Sequence, residues 1–268
     1  MKKIIKLKTN FKNFIKNFRK SNSVFSKNIK RWKKLPGGRE RYNLETLNKK
    51  SDQECLEKYL HFSKFWEEER GWEYEKYKKK FTGKNVIEVG AGFGFDAYTY
   101  AQVANSYTCI DINPIQIEFI KRIHKLLSQS EEVISSNIFY QLLEDPFNHN
   151  YGEKKFNAFY SHGVFHHMPF EDAKKQFKNI NRFLEKGSYI VFLMYPKERW
   201  EDAGKPSFKD FGKSTDGGCP WTEWYDKEKI IDLVGKEFKL IEVIPWAFQS
   251  TENGDDIPAF INFELEKI

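Results

Sequence analysis

A chain of 268 residues with 40% hydrophobic and 17% aromatic content holds one core of α/β size plus an appendage, and excludes two large domains. The net charge of +7 is unevenly spread: residues 1–50 carry 17 Lys/Arg against 2 Asp/Glu, and residues 51–268 carry 28 against 36. A basic arm is joined to an acidic body, which argues against nucleic acid as the partner of the body. Cys55, Cys109 and Cys219 lie far apart, without zinc or disulfide spacing, as in a reducing cytoplasm.

From Met1 to about residue 34, Ile4, Leu7, Phe11, Phe14 and Phe18 recur at steps of three and four among lysines, the pattern of a basic amphipathic helix. Three roles stay open for it: a helix on the body or a solvated tail, an interfacial helix giving peripheral membrane contact through residues 1–34, and an RNA- or partner-binding arm. No apolar run of signal-peptide or membrane-span length occurs there. Leu35-Pro36-Gly37-Gly38 reads as a hinge, giving an arm at 1–38. Residues 39–80 then read as a helical cap of two helices bearing Tyr59, Phe62, Phe65, Trp66, Trp72 and Tyr77.

The regular domain spans 81–268. Val86-Ile87-Glu88-Val89 is a buried-strand run followed by glycines. Tyr107–Asp111 is a second strand, and Asn113-Pro114 starts a helix with Ile117, Ile120, Ile123 and Leu127 on one face. Further strands are expected at Val133–Tyr140, Phe156–Ser161 and Tyr189–Met194, with a helix through Phe170, Ala173, Phe177, Ile180 and Leu184. A lid of about 196–225 follows. A helix from Asp226 and strands Phe238–Ile244 and Ala259–Leu265 close the chain. The fold class is α/β: a doubly wound, Rossmann-like, mostly parallel seven-stranded sheet with an antiparallel last strand and a helical N-terminal extension.

The turn Gly90-Ala91-Gly92-Phe93-Gly94 lets backbone approach a ligand at the carboxyl ends of parallel strands. Asp111, 21 positions past Gly90 and at a strand end, is placed to accept ribose hydroxyls. A nicotinamide dinucleotide site would want a third glycine where Phe95 stands, and Asp96 would repel a phosphate at the helix start. A ligand with a ribose and no phosphate fits better.

Val86–Gly94 resembles the first motif of class I S-adenosylmethionine-dependent methyltransferases, and the resemblance runs over about residues 80–195. It implies that Gly90, Ala91, Gly92 and Gly94 line that cofactor, that Glu88 holds its amino-acid end, that Asp111 binds the ribose and that Ile112 packs on adenine. Gln141 and Leu142 fall where the family contacts adenine, with Gln141 in place of a common aspartate. Tyr160–Pro169 resembles the fourth motif of the small-molecule, type 11-like branch, which implies main-chain contacts from Ser161 and His162. His166 and His167 become candidate bases for deprotonating an acceptor. Glu171 and Asp172 suit a helix start rather than a metal, and no metal is expected.

The lid is dense in aromatics and acids, which suit sugar hydroxyls and flat apolar edges. Tyr195, Trp200, Asp216, Trp221 and Trp224 are the acceptor-site candidates. No Asn/Asp-Pro-Pro-aromatic run for nucleobase amines occurs after the fourth strand, and no Pro-Cys nucleophile for cytosine carbon. The expectation is cytoplasmic O-methylation of a small molecule, a sugar or nucleotide sugar for a bacterial surface polysaccharide. The alternatives are a quinone, lipid-precursor or other metabolite methyltransferase at the inner membrane face, and a non-catalytic RNA-binding or scaffold protein.

Overall fold

The computed structural model describes residues 24–32, 34–37, 40–130, 137–153, 155–215, 218–251 and 254–268. The apolar positions Ile4 to Phe18, residues 133–136 of the expected third strand and Asp216 lie outside them. Val24–Arg31 is a short helix (α1), Lys34–Gly37 (β1) and Glu40–Asn43 (β2) an antiparallel hairpin, and Leu44–Leu47 a single turn (α2). The expected hinge thus supplies a hairpin strand. Pro36 is tolerated there because a two-stranded ribbon consists of edge strands.

Of the two helices expected in 41–80, the first is only the turn α2, and Asp52–Phe81 (α3) runs for 30 residues. A capping box starts it, with Glu54 N–H donating to Ser51 Oγ at 3.3 Å and Ser51 N–H to the Glu54 carboxylate at 3.1 Å. No proline interrupts it, and Gly71 costs only about 1 kcal/mol relative to alanine. Tyr59, Phe62, Tyr74, Tyr77 and Phe81 bury one side of it.

The sheet comprises Asn85–Val89 (β3), Ser106–Asp111 (β4), Ile138–Leu142 (β5), Phe156–His162 (β6), Leu184–Met194 (β7), Phe238–Ser250 (β8) and Asp256–Lys267 (β9). Its order is β5-β4-β3-β6-β7-β9-β8. The pairs from β5 to β7 are parallel, and β9 inserts antiparallel between β7 and β8, so the last strand alone is reversed. Phe95–Ala101 (α4), Pro114–Ser130 (α5) and Phe170–Asn181 (α6) are the crossover helices. Leu184, expected on the last of these, begins β7 instead.

One face of the sheet buries Phe159, Phe165, Phe177, Phe192 and Phe238 against α6, and the other buries Tyr77, Phe81, Tyr100 and Tyr160 against α3 and α4. The expected open lid contains two helices, Lys197–Asp202 (α7) and Phe208–Ser214 (α8), and leads into Lys227–Val234 (α9), capped by Asp226. Strand order reverses at β3, whose neighbours β4 and β6 connect in opposite directions, so a crevice opens at their carboxyl ends. Among the described residues no helix is long and apolar enough to cross a membrane.

Candidate functional site

The crevice is a cavity whose floor is the Gly90–Gly94 turn. Gly90, Gly92 and Gly94 have φ of 83°, 56° and 78°, a region costly for side chains. At Gly90 a Cβ would fall 2.1 Å from Val164 Cγ2, and at Gly94 one would fall 2.8 Å from Ile120 Cγ2. Gly90→Ala is therefore expected to lower the unfolding free energy by about 1–3 kcal/mol, measured by chemical denaturation; an unchanged midpoint would show that Val164 yields freely.

The turn is tied to β4, with Gly90 N–H donating to Ile110 O at 2.7 Å. It is buttressed from α5 by His124, whose Nε2–H donates to Gly94 O at 3.0 Å while Tyr140 Oη–H donates to Nδ1 at 2.8 Å. Burial pushes the His124 pKa down to about 4, opposed by the Gly94 carbonyl.

Asp111 lines the cavity and is buried. Its carboxylate accepts from Asn113 N–H at 2.8 Å and from Gly92 N–H at 3.4 Å. Burial outweighs these bonds and pushes its pKa up to about 7. Ile112 lies beside it on the wall. Glu88 sits behind the turn rather than on the wall, with Oε2 meeting no hydrogen-bond partner among the described residues. Burial and then the charge of Asp96 hold its carboxyl well above the usual range.

Two walls, Gln116 and Arg70, were not singled out from the sequence; Trp66 and Asp96 were named there. Gln116, from the first turn of α5, is 1% exposed, lines the cavity, and meets no partner among the described residues at either end of its amide. Trp66 and Arg70 reach in from α3, and Asp96 from the start of α4. Arg70 Nε donates to Glu73 at 2.6 Å, and its Nη2 donates to Asp96 at 3.0 Å and to Tyr160 Oη at 2.6 Å. The charge spacing along α3 offers only Glu73, three positions on; Asp96 and Tyr160 lie 26 and 90 positions away.

His162, His166 and His167 all line the cavity. The two last face each other, Nε2 to Nε2, at 3.0 Å. His167 Nδ1 lies 3.2 Å from both Trp221 O and Thr222 Oγ1. Thr222 donates its own proton to Trp221 O at 2.9 Å. Both oxygens therefore accept from His167 Nδ1–H, which leaves a lone pair on its Nε2 and makes His166 Nε2–H the donor between the rings. The His166 ring stacks on Tyr195 at 4.2 Å, and the Arg199 guanidinium lies 4.0 Å from the same Tyr195 ring.

Of the acceptor candidates Tyr195 alone reaches the cavity; Asp216 is outside the described residues. Trp200 and Trp224 pack on each other at 5.6 Å, Lys229 Nζ lies 4.5 Å from the Trp224 ring, and Trp221 Nε1–H donates to Glu223 at 2.9 Å. Their rings hold the lid to its own helix, and the aromatic walls near the histidines are instead Trp32, Trp66 and Phe260.

Gln141 and Leu142 also stand off the cavity, where Leu143 takes their place. The Gln141 amide accepts from His149 Nε2–H at 3.1 Å and donates to Tyr151 O at 3.4 Å. Ser161 spends its hydroxyl on Val89 O at 3.1 Å, joining β6 to β3.

Residues 87–192 match the family model described as "Methyltransferase domain". No curated protein sequence matches the chain. Among solved structures, the chain is similar to the N-methyltransferase NodS of Bradyrhizobium japonicum (14% identity, TM-score 0.53, 75% of this chain and 96% of that one). The same protein in complex with S-adenosyl-l-homocysteine aligns at 15% identity and TM-score 0.53, over 75% and 87% of the two chains. An S-adenosylmethionine-dependent methyltransferase from Clostridium acetobutylicum aligns at 12% identity and TM-score 0.53, over 78% and 98%. The glycine turn and acid-ended second strand recognised in the sequence, the sheet order and the methyltransferase-domain match over residues 87–192 agree with the resemblance to class I S-adenosylmethionine-dependent methyltransferases.

Proposed function

We propose that this protein transfers a methyl group from S-adenosylmethionine to a hydroxyl of a small molecule, with a sugar or nucleotide sugar as the first class to test. The residues present fit the cofactor. The glycine turn leaves bare backbone where a side chain would block approach, and the buried Gln116 amide offers a donor and an acceptor that meet no partner among the described residues. Asp111 is placed to accept both ribose hydroxyls. Asp96 brings a carboxyl to the far end, with the Glu88 carboxyl behind the turn, and the Arg70 guanidinium is already engaged by Glu73, Asp96 and Tyr160. That end favours a cationic group such as the cofactor's ammonium.

When bound, S-adenosylmethionine supplies a methyl group on a sulfonium that leaves as a neutral thioether. Alignment of the acceptor with that methyl falls to the aromatic walls Trp66, Tyr195 and Phe260, which suit the apolar face of a ring. A hydroxyl must also lose a proton. The observation that carries the proposal is the lid-to-histidine chain: Trp221 O fixes the tautomer of His167, which fixes that of His166, so a neutral His166 carries its lone pair on Nδ1. A proton taken there leaves an imidazolium whose Nε2–H still donates to His167.

His166→Ala is expected to lower kcat by about 10²–10⁴-fold with cofactor affinity unchanged, read by single-turnover assays over a panel of nucleotide sugars. His162→Ala is the control. A loss confined to His162→Ala moves the base to that residue, and turnover of amines alone replaces the hydroxyl reading with N-methylation.

A further inference from the structure

Helix α1 and Trp32 belong to the basic arm by sequence, yet they wall the cavity. Asn28 and Trp32 stand one turn apart and both line it. Three contacts stitch the segment to three separate parts of the body. Asn28 Nδ2 donates to His167 O at 2.6 Å, Asn113 Nδ2 donates to Trp32 O at 2.7 Å, and Arg31 Nε donates to Gly218 O in the lid at 2.8 Å. The Trp32 ring lies 5.1 Å from that of His167.

The bond to His167 O orients the Asn28 amide. Its nitrogen is the donor, so Oδ1 is an acceptor, and that atom meets no partner among the described residues although Asn28 is 4% exposed. A buried, oriented acceptor on the wall of a ligand cavity calls for a donor from the ligand. Which part of the ligand follows from the neighbours. Trp32 O is held by Asn113, two residues past Asp111 and next to Ile112, while Asn28 and the Trp32 ring meet His167, so the segment reaches from the nucleoside side to the histidines.

We propose that α1 with Trp32 is a clasp over the cofactor, in which Asn28 Oδ1 accepts a hydrogen bond from the adenosine part and Trp32 closes the wall. This rests on the cofactor reading above. The site is then incomplete without residues 24–32, and ligand binding and clasp closure favour each other.

The test uses the full chain, S-adenosylhomocysteine and adenosine as probes, and Asn28→Ala. In calorimetry the variant is expected to lose about tenfold in affinity for S-adenosylhomocysteine, as for one buried hydrogen bond, and the same factor for adenosine. Lys27 and Lys30 are exposed, so tryptic cleavage after them reads the clasp directly. S-adenosylhomocysteine should slow it at least severalfold in the wild type and much less in Asn28→Ala. A circular dichroism melt of the unliganded variant checks that the body remains folded, and Asn28→Leu repeats the measurement should Asn28→Ala fail to fold. Unchanged affinity in a folded variant overturns the proposal, as does a loss for S-adenosylhomocysteine with none for adenosine. No binding by the wild type overturns the cofactor reading instead.

Discussion

Asp111→Ala is expected to weaken S-adenosylmethionine binding by on the order of 100-fold or more, because two hydrogen bonds to a charged acceptor contribute about 1.5–3 kcal/mol each. Isothermal calorimetry of wild type and variant reads this directly. The same carboxyl sets a pH dependence whose sign follows from its raised pKa. With that pKa at about 7 in the free protein, the form that accepts two ribose hydroxyls dominates above pH 7 and is depleted below it. Affinity should be near its plateau at pH 8 and fall about tenfold per unit below pH 7. Asp111→Asn should therefore remove the Asp111 part of the slope. A wild-type affinity flat from pH 5 to 8 would refute the assignment of Asp111 as the ribose acceptor.

Arg70→Ala is expected to cost about 3–5 kcal/mol of stability, the range for breaking a buried ion pair from one side. Arg70 is 3% exposed and Glu73 is fully buried, and Asp96 on the third corner is also buried. Removing the guanidinium leaves two carboxyls without their cation, and leaves the Tyr160 hydroxyl without its donor. Glu73 also accepts from Asn262 Nδ2 in the last strand, so the loss spreads from α3 into the sheet. Urea denaturation measures the free energy, and melting should fall by on the order of 10 °C for a chain of this size. Arg70→Met, which fills the volume, tests the cause: if the uncompensated carboxyls are responsible, adding Glu73→Gln should recover much of the loss. A single-variant cost under about 1 kcal/mol would mean that solvent reaches the carboxyls.

The two kinds of residue in this site differed in how far the sequence revealed them. Gly90, Gly92, Gly94 and Asp111 were legible because their roles are local: a turn without side chains between a strand and a helix, and an acid at the end of the next strand. His166 and His167 were visible as candidates, but the chain of proton positions from Trp221 O through His167 to His166 joins segments 54 positions apart. The lid tryptophans show the opposite error. A dense aromatic and acidic stretch suggested a sugar-facing surface, whereas Trp200, Trp221 and Trp224 pack around Phe208, Lys229 and Glu223. Composition records which rings are present and carries no record of the face they turn inward.

By itself the sequence determined the alternating strands and helices, the turn at the carboxyl end of β3, the acid at the end of β4 and the reversed last strand. Each depends on periodicity, caps and glycines within a few residues. Tertiary structure alone decided that Asp52–Phe81 is one long helix supplying Arg70, that Gln116 faces the cavity, and that the end of the basic arm, Asn28 and Trp32, closes it. Those placements are set by packing and by buried hydrogen bonds between positions far apart in the chain, where each polar group is held by whichever partner the fold brings within reach.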